Sequence, residues 1–166
     1  MNPHHLSAKP HRDTLLYATS LTAELKKQAA SFTVRLNFLG LSHLDADEVP
    51  FFTPLRAGDE VFVREVCLCL DHIPVVSARS VCLPHDTYWR QTLDCGVQSL
   101  GGRLFGGSMD HLQRSPFAFT DLPPEHRLVA GFATTNRPSR RSVFSAEDGD
   151  LLLIECFLPE LKRYYA

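Results

Sequence analysis

The chain has 166 residues, 44% of them hydrophobic, and a formal net charge of -2 from 17 basic and 19 acidic side chains. That length supports one domain, 1–166, with a core of its own, while scattered basic residues and a slightly negative balance argue against a nucleic-acid surface. No run approaches the roughly 20 apolar residues of a membrane span, and the start MNPHHLSAKPHRD lacks the apolar segment of a secretory signal, so a cytoplasmic protein without a membrane span is expected.

Residues 1–19 form a short polar segment in which DTLLYATSL can make a helical turn or two. SLTAELKKQAA follows as a helix, with Ser20 as N-cap, Glu24 in the first turn, and Leu21, Leu25 and Ala29 at four-residue spacing. SFTVRLNFLG alternates Phe32, Val34, Leu36 and Phe38 against Thr33, Arg35 and Asn37, the pattern of a half-buried strand. A loop rich in Asp and Pro runs from about Ser42 to Asp59.

EVFVREVCLCLDHIPVVSARSVCLP reads as an antiparallel hairpin turning at Asp71-His72. DTYWRQTLDCGVQSLGG places Trp89, Leu93, Val97 and Leu100 on one helical face, starting at an Asp86 cap and ending at Gly101. Residues 106–138 are irregular, hold four of the eleven prolines, and contain the strand-like PFAF; they could form a lid. RRSVFSA and DLLLIECFLP flank Asp148-Gly149 as a second hairpin. Strands dominate and neighbours look antiparallel, so the fold class is α+β: a single antiparallel sheet with helices packed on it.

Five cysteines is an odd number, and Cys67, Cys69, Cys82 and Cys156 all stand in apolar strand-like runs, as reduced core thiols do. There is no C-x-x-C, and the eight histidines are dispersed, so no metal site is expected. Trp89 belongs to a core. Asp110-His111 and Glu125-His126 read as surface pairs.

Two charges break the apolar pattern. In LLLIECFLP, Glu155 shares a strand face with Leu151, Leu153 and Phe157, and neither face offers water. Such a carboxylate must find a partner or stay protonated with a raised pKa. Arg64 likewise shares a face with Phe62, Val66 and Leu68, and a guanidinium cannot discharge itself. Arg64 could pair with Glu155, or with Glu65 of a neighbouring strand, as a structural ion pair. Alternatively, a small anion could lie between them, its carboxylate on the fork of Arg64 and a polar group against Glu155. Of Arg140 and Arg141, at most one can face inward, leaving the other to solvent.

The order VREVCLCLDHIPVVSARSVCLP, SLGGRLF, RRSVF, LLLIECFLP resembles the chorismate lyase (chorismate pyruvate-lyase) family of the ubiquinone pathway, from about Thr19 to Pro159. The resemblance implies a chorismate-lyase-like fold and removal of the enolpyruvyl group of chorismate as pyruvate, giving 4-hydroxybenzoate. It implies no cofactor and no metal, and a monomer acting on a small molecule. It implies that Arg64 holds the ring carboxylate and that Glu155 bonds the ring hydroxyl and assists proton transfer. Leu21 and Leu100 would contribute mainly through their backbone, with Gly101 letting backbone approach the ligand, and Arg79 would stand behind the site. Before Arg79 the chain has Ala78 where the family pattern has glycine, and the segment between Arg114 and Arg140 is longer than that pattern. The competing reading is a non-catalytic domain of the same fold that binds small aromatic acids, as in some transcription regulators. About twenty residues before the first matched helix are too few for a helix-turn-helix domain.

Overall fold

The computed structural model describes residues 8–100, 104 and 112–166. Seven strands make one sheet: β1 Phe32–His43, β2 Glu60–Leu70, β3 Ile73–Cys82, β4 Gln113–Arg114, β5 Ala118–Leu122, β6 Arg137–Ala146 and β7 Gly149–Phe157. The order is β1-β2-β3-β7-β6, with both β4 and β5 on β6, and every pairing is antiparallel. Helices α1 Arg12–Leu16, α2 Leu21–Lys26 and α3 Thr87–Leu93 pack on one face, so the expected α+β class holds. No helix among the described residues is long and apolar enough to cross a membrane.

Local chemistry accounts for most element ends. Ser20 caps α2 by accepting from the Ala23 amide, and Asp86 caps α3 by accepting from the Trp89 amide. Leu70 pairs with Ile73 across a two-residue turn in which Asp71 and His72 both take positive φ, 48° and 66°. That backbone twist matches the twist of the strands it joins.

Several expectations shift. Helix α3 stops at Leu93 rather than running to Gly101, and Val97, expected on its buried face, is 69% exposed. The chain leaves helical geometry at Asp94, with φ -80° and ψ 65°, and turns again at Gly96, whose φ is 57°. In β1 the alternation fails at Asn37, where the register with β2 slips, leaving Leu36 and Phe38 exposed on an edge strand while Val34 stays buried under α2. The second hairpin turns at Glu147-Asp148, because Ala146 pairs with Gly149. Gly149 serves a close approach instead: a Cβ there would collide with the Asp86 carboxylate that caps α3, and the Gly149 carbonyl accepts from Trp89 Nε1 at 3.0 Å. Within 112–138, read as irregular, β4 and β5 close the sheet edge on β6. The loop 42–59 is partly ordered as a 3-10 turn, Ala46–Phe51.

The core is divided by the sheet. On the back face Val61, Val63, Val81, Leu152 and Ile154 pack under residues from the 44–55 and 122–133 segments. The front face carries two separate clusters. One gathers α1 and α2 on Val66, Leu68 and Phe157; the other gathers Trp89 and Leu93 of α3 on Phe62, Phe144 and Leu151. All five cysteines are buried and free, and burial pushes the thiols of Cys82 and Cys156 up to about 12. Cys67, Cys69, Cys82 and Cys156 are core residues, as their strand settings implied.

Candidate functional site

The seam between the two front clusters holds a small cavity lined by residues of both. Leu21, Val66 and Leu68 contribute from one cluster and Leu100, Phe144 and Leu153 from the other. The floor is the sheet itself, in two adjacent rows. Arg64, Ser80, Leu153 and Ser142 are paired in one row, and Val66, Ala78, Glu155 and Arg140 in the next. Two strand spacings and a two-residue offset put the Cα atoms of Arg64 and Glu155 about 12 Å apart, room for a small ring between their side chains.

Arg64 is 2% exposed. Its Nη2 donates to the carbonyls of Gly96 (3.1 Å) and Gln98 (2.8 Å), which pins the turn after α3 over the cavity. Its Nε is buried with no hydrogen-bond partner among the described residues, and no carboxylate of those residues lies within ion-pair distance. Burial pulls its pKa below the usual guanidinium value, opposed by the neighbouring Cys95. The structural pairing of Arg64 with Glu155 or Glu65 therefore does not form.

Glu155 finds other partners. Arg140 Nε donates to its Oε1 at 2.8 Å, and Arg114 Nη2 lies 3.7 Å from the same oxygen. Arg140, paired with Glu155 across β6 and β7, is 1% exposed and spends Nη1 on the Leu16 and Ala18 carbonyls at 2.9 and 2.7 Å. Arg114 donates to Ser142 Oγ and the Thr19 carbonyl, and burial brings its pKa down to about 10, so it stays charged at neutral pH. Phe117 covers both guanidinium faces, 4.0 Å from that of Arg140 and 4.4 Å from that of Arg114.

Among the described lining residues the cavity thus gathers three guanidinium groups, Arg64, Arg114 and Arg140, around one carboxylate, Glu155. That is a surplus of two positive charges in an apolar setting, and it suits a small dianion. No group of three His, Cys, Asp or Glu side chains among the described residues stands together as a metal site.

The expected site residues divide. Arg64, Glu155, Leu21 and Leu100 all line the cavity, and Gly101 lies outside the described residues. Arg79 does not face the cavity. It follows Ala78 and precedes Ser80, both cavity residues, so alternation turns it to the back face. There it is fully buried, 2.8 Å from Glu48 and 2.7 Å from Glu65. One of Arg140 and Arg141 was expected in solvent, but both are buried, Arg141 on the back face, bonded to Asp47 at 2.6 Å. His126, read as surface, has a side chain only 13% exposed and meets the same Asp47 carboxylate. Sequence reasoning missed Arg114 because its segment has no periodicity to give it a face. The strand alternation of RRS did carry a signal for Arg140, without saying which arginine turned inward.

The model of the family described as chorismate lyase matches residues 3–165. A probable chorismate pyruvate-lyase of Nitrosomonas europaea is 34% identical over 157 residues, covering 90% of this chain and 86% of that protein. A second, from Albidiferax ferrireducens, is 36% identical over 154 residues, covering 83% and 76%. Among solved structures, the effector domain of PhnF from Mycobacterium smegmatis superposes with a TM-score of 0.57 at 17% identity, covering 85% of this chain and 89% of that one. A PhnF C-terminal domain gives 0.58 at 10% identity, covering 96% and 94%. Those two likenesses speak for the fold alone.

Proposed function

Because the chain belongs to the chorismate lyase family, we propose that it cleaves chorismate to 4-hydroxybenzoate and pyruvate, without metal or cofactor, as an entry to ubiquinone synthesis. The observation that carries this reading is the surplus of two positive charges in the cavity, since chorismate carries two carboxylates. Arg64 takes the ring carboxylate: its unmet Nε, on a side chain fixed by two carbonyls, is a donor already oriented for an anion. The second carboxylate, on the enolpyruvyl arm, is neutralised by the field of Arg114 and Arg140.

The chemistry is an elimination driven by aromatisation. The proton on the hydroxyl-bearing ring carbon leaves, its bonding pair enters the ring, and the ring carbon–oxygen bond to the enolpyruvyl group breaks. Enolpyruvate then takes a proton on its methylene carbon and becomes pyruvate. Glu155 is the one carboxylate among the described lining residues. It bonds the ring hydroxyl and assists removal of the neighbouring ring proton. Arg140 and Arg114 hold its Oε1, so the side chain meets the substrate in one orientation. Leu21 and Leu100 bring backbone to the ligand, and apolar walls exclude water from the reacting centre.

Incubation of the purified protein with chorismate, followed by chromatography for 4-hydroxybenzoate and an assay for pyruvate, tests the proposal. Equal amounts of both products are expected, and their formation should survive excess chelator. Binding of 4-hydroxybenzoate with no turnover of chorismate would instead assign the cavity to a non-catalytic sensor of aromatic acids, a use compatible with the fold it shares with the PhnF effector domain.

A further inference from the structure

Arg140 holds one buried donor in reserve. Its Nε is bound by Glu155 and its Nη1 by two carbonyls, yet Nη2 is buried with no hydrogen-bond partner among the described residues. In a planar guanidinium, Nε and Nη2 lie along the same edge, the edge that meets a two-pronged acceptor. Glu155 takes only the Nε prong, and does so with Oε1. Its Oε2 accepts nothing from the described residues, although the side chain lines the cavity. An unmet donor and an unmet acceptor therefore belong to two paired residues that both line the cavity.

Arg140 is held against turning to cancel this mismatch. The carbonyls of Leu16 and Ala18 clamp the far edge of the guanidinium, and the Phe117 ring lies 4.0 Å over its face. A ligand group that both donates one hydrogen and accepts one satisfies the pair together. A hydroxyl does this. A ring amine conjugated to a para carboxylate donates but scarcely accepts, and a hydrogen atom does neither.

We infer that Arg140 is a second reader of the ring hydroxyl: Nη2 donates to the hydroxyl oxygen while Glu155 Oε2 accepts its proton. This rests on the chorismate reading of the site. It adds a substrate-contacting residue and explains why a carboxylate alone would not separate a hydroxyl from an amine.

Titration calorimetry with benzoate, 4-aminobenzoate and 4-hydroxybenzoate tests it, first on the unaltered protein. Donation from a charged group to the hydroxyl should make 4-hydroxybenzoate bind about tenfold or more tightly than 4-aminobenzoate. In Arg140→Lys that advantage should collapse, with 4-hydroxybenzoate losing about tenfold or more and benzoate changing less than about twofold. Equal affinity of the unaltered protein for the amine and the hydroxyl overturns the inference without needing any variant to fold. Equal losses for benzoate and 4-hydroxybenzoate in Arg140→Lys overturn it too, leaving Arg140 a structural partner of Glu155. If the unaltered protein binds none of the three and leaves chorismate intact, the chorismate reading itself fails. The two failures are thus distinguishable.

Discussion

The two faces of the sheet compensate their arginines in opposite ways. On the back face Arg79, Arg127 and Arg141 meet Asp45, Asp47, Glu48 and Glu65, three cations among four carboxylates at hydrogen-bonding distances. Arg79 and Glu48 are both fully buried and joined by two hydrogen bonds, 2.8 and 3.0 Å long. On the front face three arginines line a cavity with one carboxylate, Glu155, which only Arg140 and Arg114 meet; Arg64 and Arg140 each keep a buried nitrogen unmet, as Arg141 does on the back face. Burial of an arginine therefore says little about function, while charge imbalance in a cavity says much. A network in which every arginine meets a carboxylate holds a loop to a sheet. A cavity with surplus positive charge suits an anion.

Substitutions can break that contrast. The largest effect is expected for Glu155→Gln, which keeps the shape and the Arg140 hydrogen bond but cannot take a proton. Turnover of chorismate should fall by about 10²–10⁴ while 4-hydroxybenzoate binds within a modest factor. If the damage appears in melting temperature with the rate intact, Glu155 is only half of a salt bridge.

Arg79→Met should do the reverse. It strands Glu48 in the core, so stability should drop by about 3–5 kcal/mol in denaturant titration, with turnover per folded molecule preserved. A lasting loss of turnover in the folded fraction would mean that the back face does more than support.

Arg64→Ala should weaken 4-hydroxybenzoate binding by about 2–5 kcal/mol, and Arg64→Lys should also bind poorly because it keeps the charge but not a planar group held by two carbonyls with Nε left to donate. Because Arg64 has no carboxylate to strand among the described residues, the stability cost should stay below that of Arg79→Met, which calorimetry and melting curves on the same samples can compare. The complementary measurement uses the unaltered protein. 4-Hydroxybenzoate at about 100 times its dissociation constant should add roughly 2.7 kcal/mol of stability, and benzoate at the same concentration less. Equal shifts would mean that nothing in the site reads the hydroxyl.

The smallest expected effect belongs to Asp47 on the back face. Hydrogen bonding from His126 holds its carboxyl well below the usual carboxylate range, with Arg141 adding to this and partial burial opposing it. A carboxyl whose pKa is lower in the folded chain adds stability above its ordinary value of about 4, and that contribution is lost as pH falls below it. Asp47→Asn should therefore be less stable than the parent at neutral pH, and the gap should close on acidification below about pH 4. A gap that widens in acid would reverse the sign of this linkage.

The sequence by itself determined the antiparallel α+β class, the Asp71-His72 turn, the Ser20 and Asp86 caps, and the two charges on an apolar face, Arg64 and Glu155. These are local matters of period, capping chemistry and turn conformation, written within a few residues. The family was legible as well, from motifs spread along the chain. The partner of each buried charge was decided only by tertiary structure. Glu155 meets Arg140 because β6 lies beside β7 in that register, and meets Arg114 because a segment without periodicity folds back as β4. Resemblance put Arg79 no closer than behind the site, and strand parity decides that it stands on the opposite face, bound to Glu48. Pairing across a sheet joins residues distant in sequence, and a shift of one position reverses which face a side chain takes. Local pattern shows that a charge must be compensated; only the folded sheet decides by what.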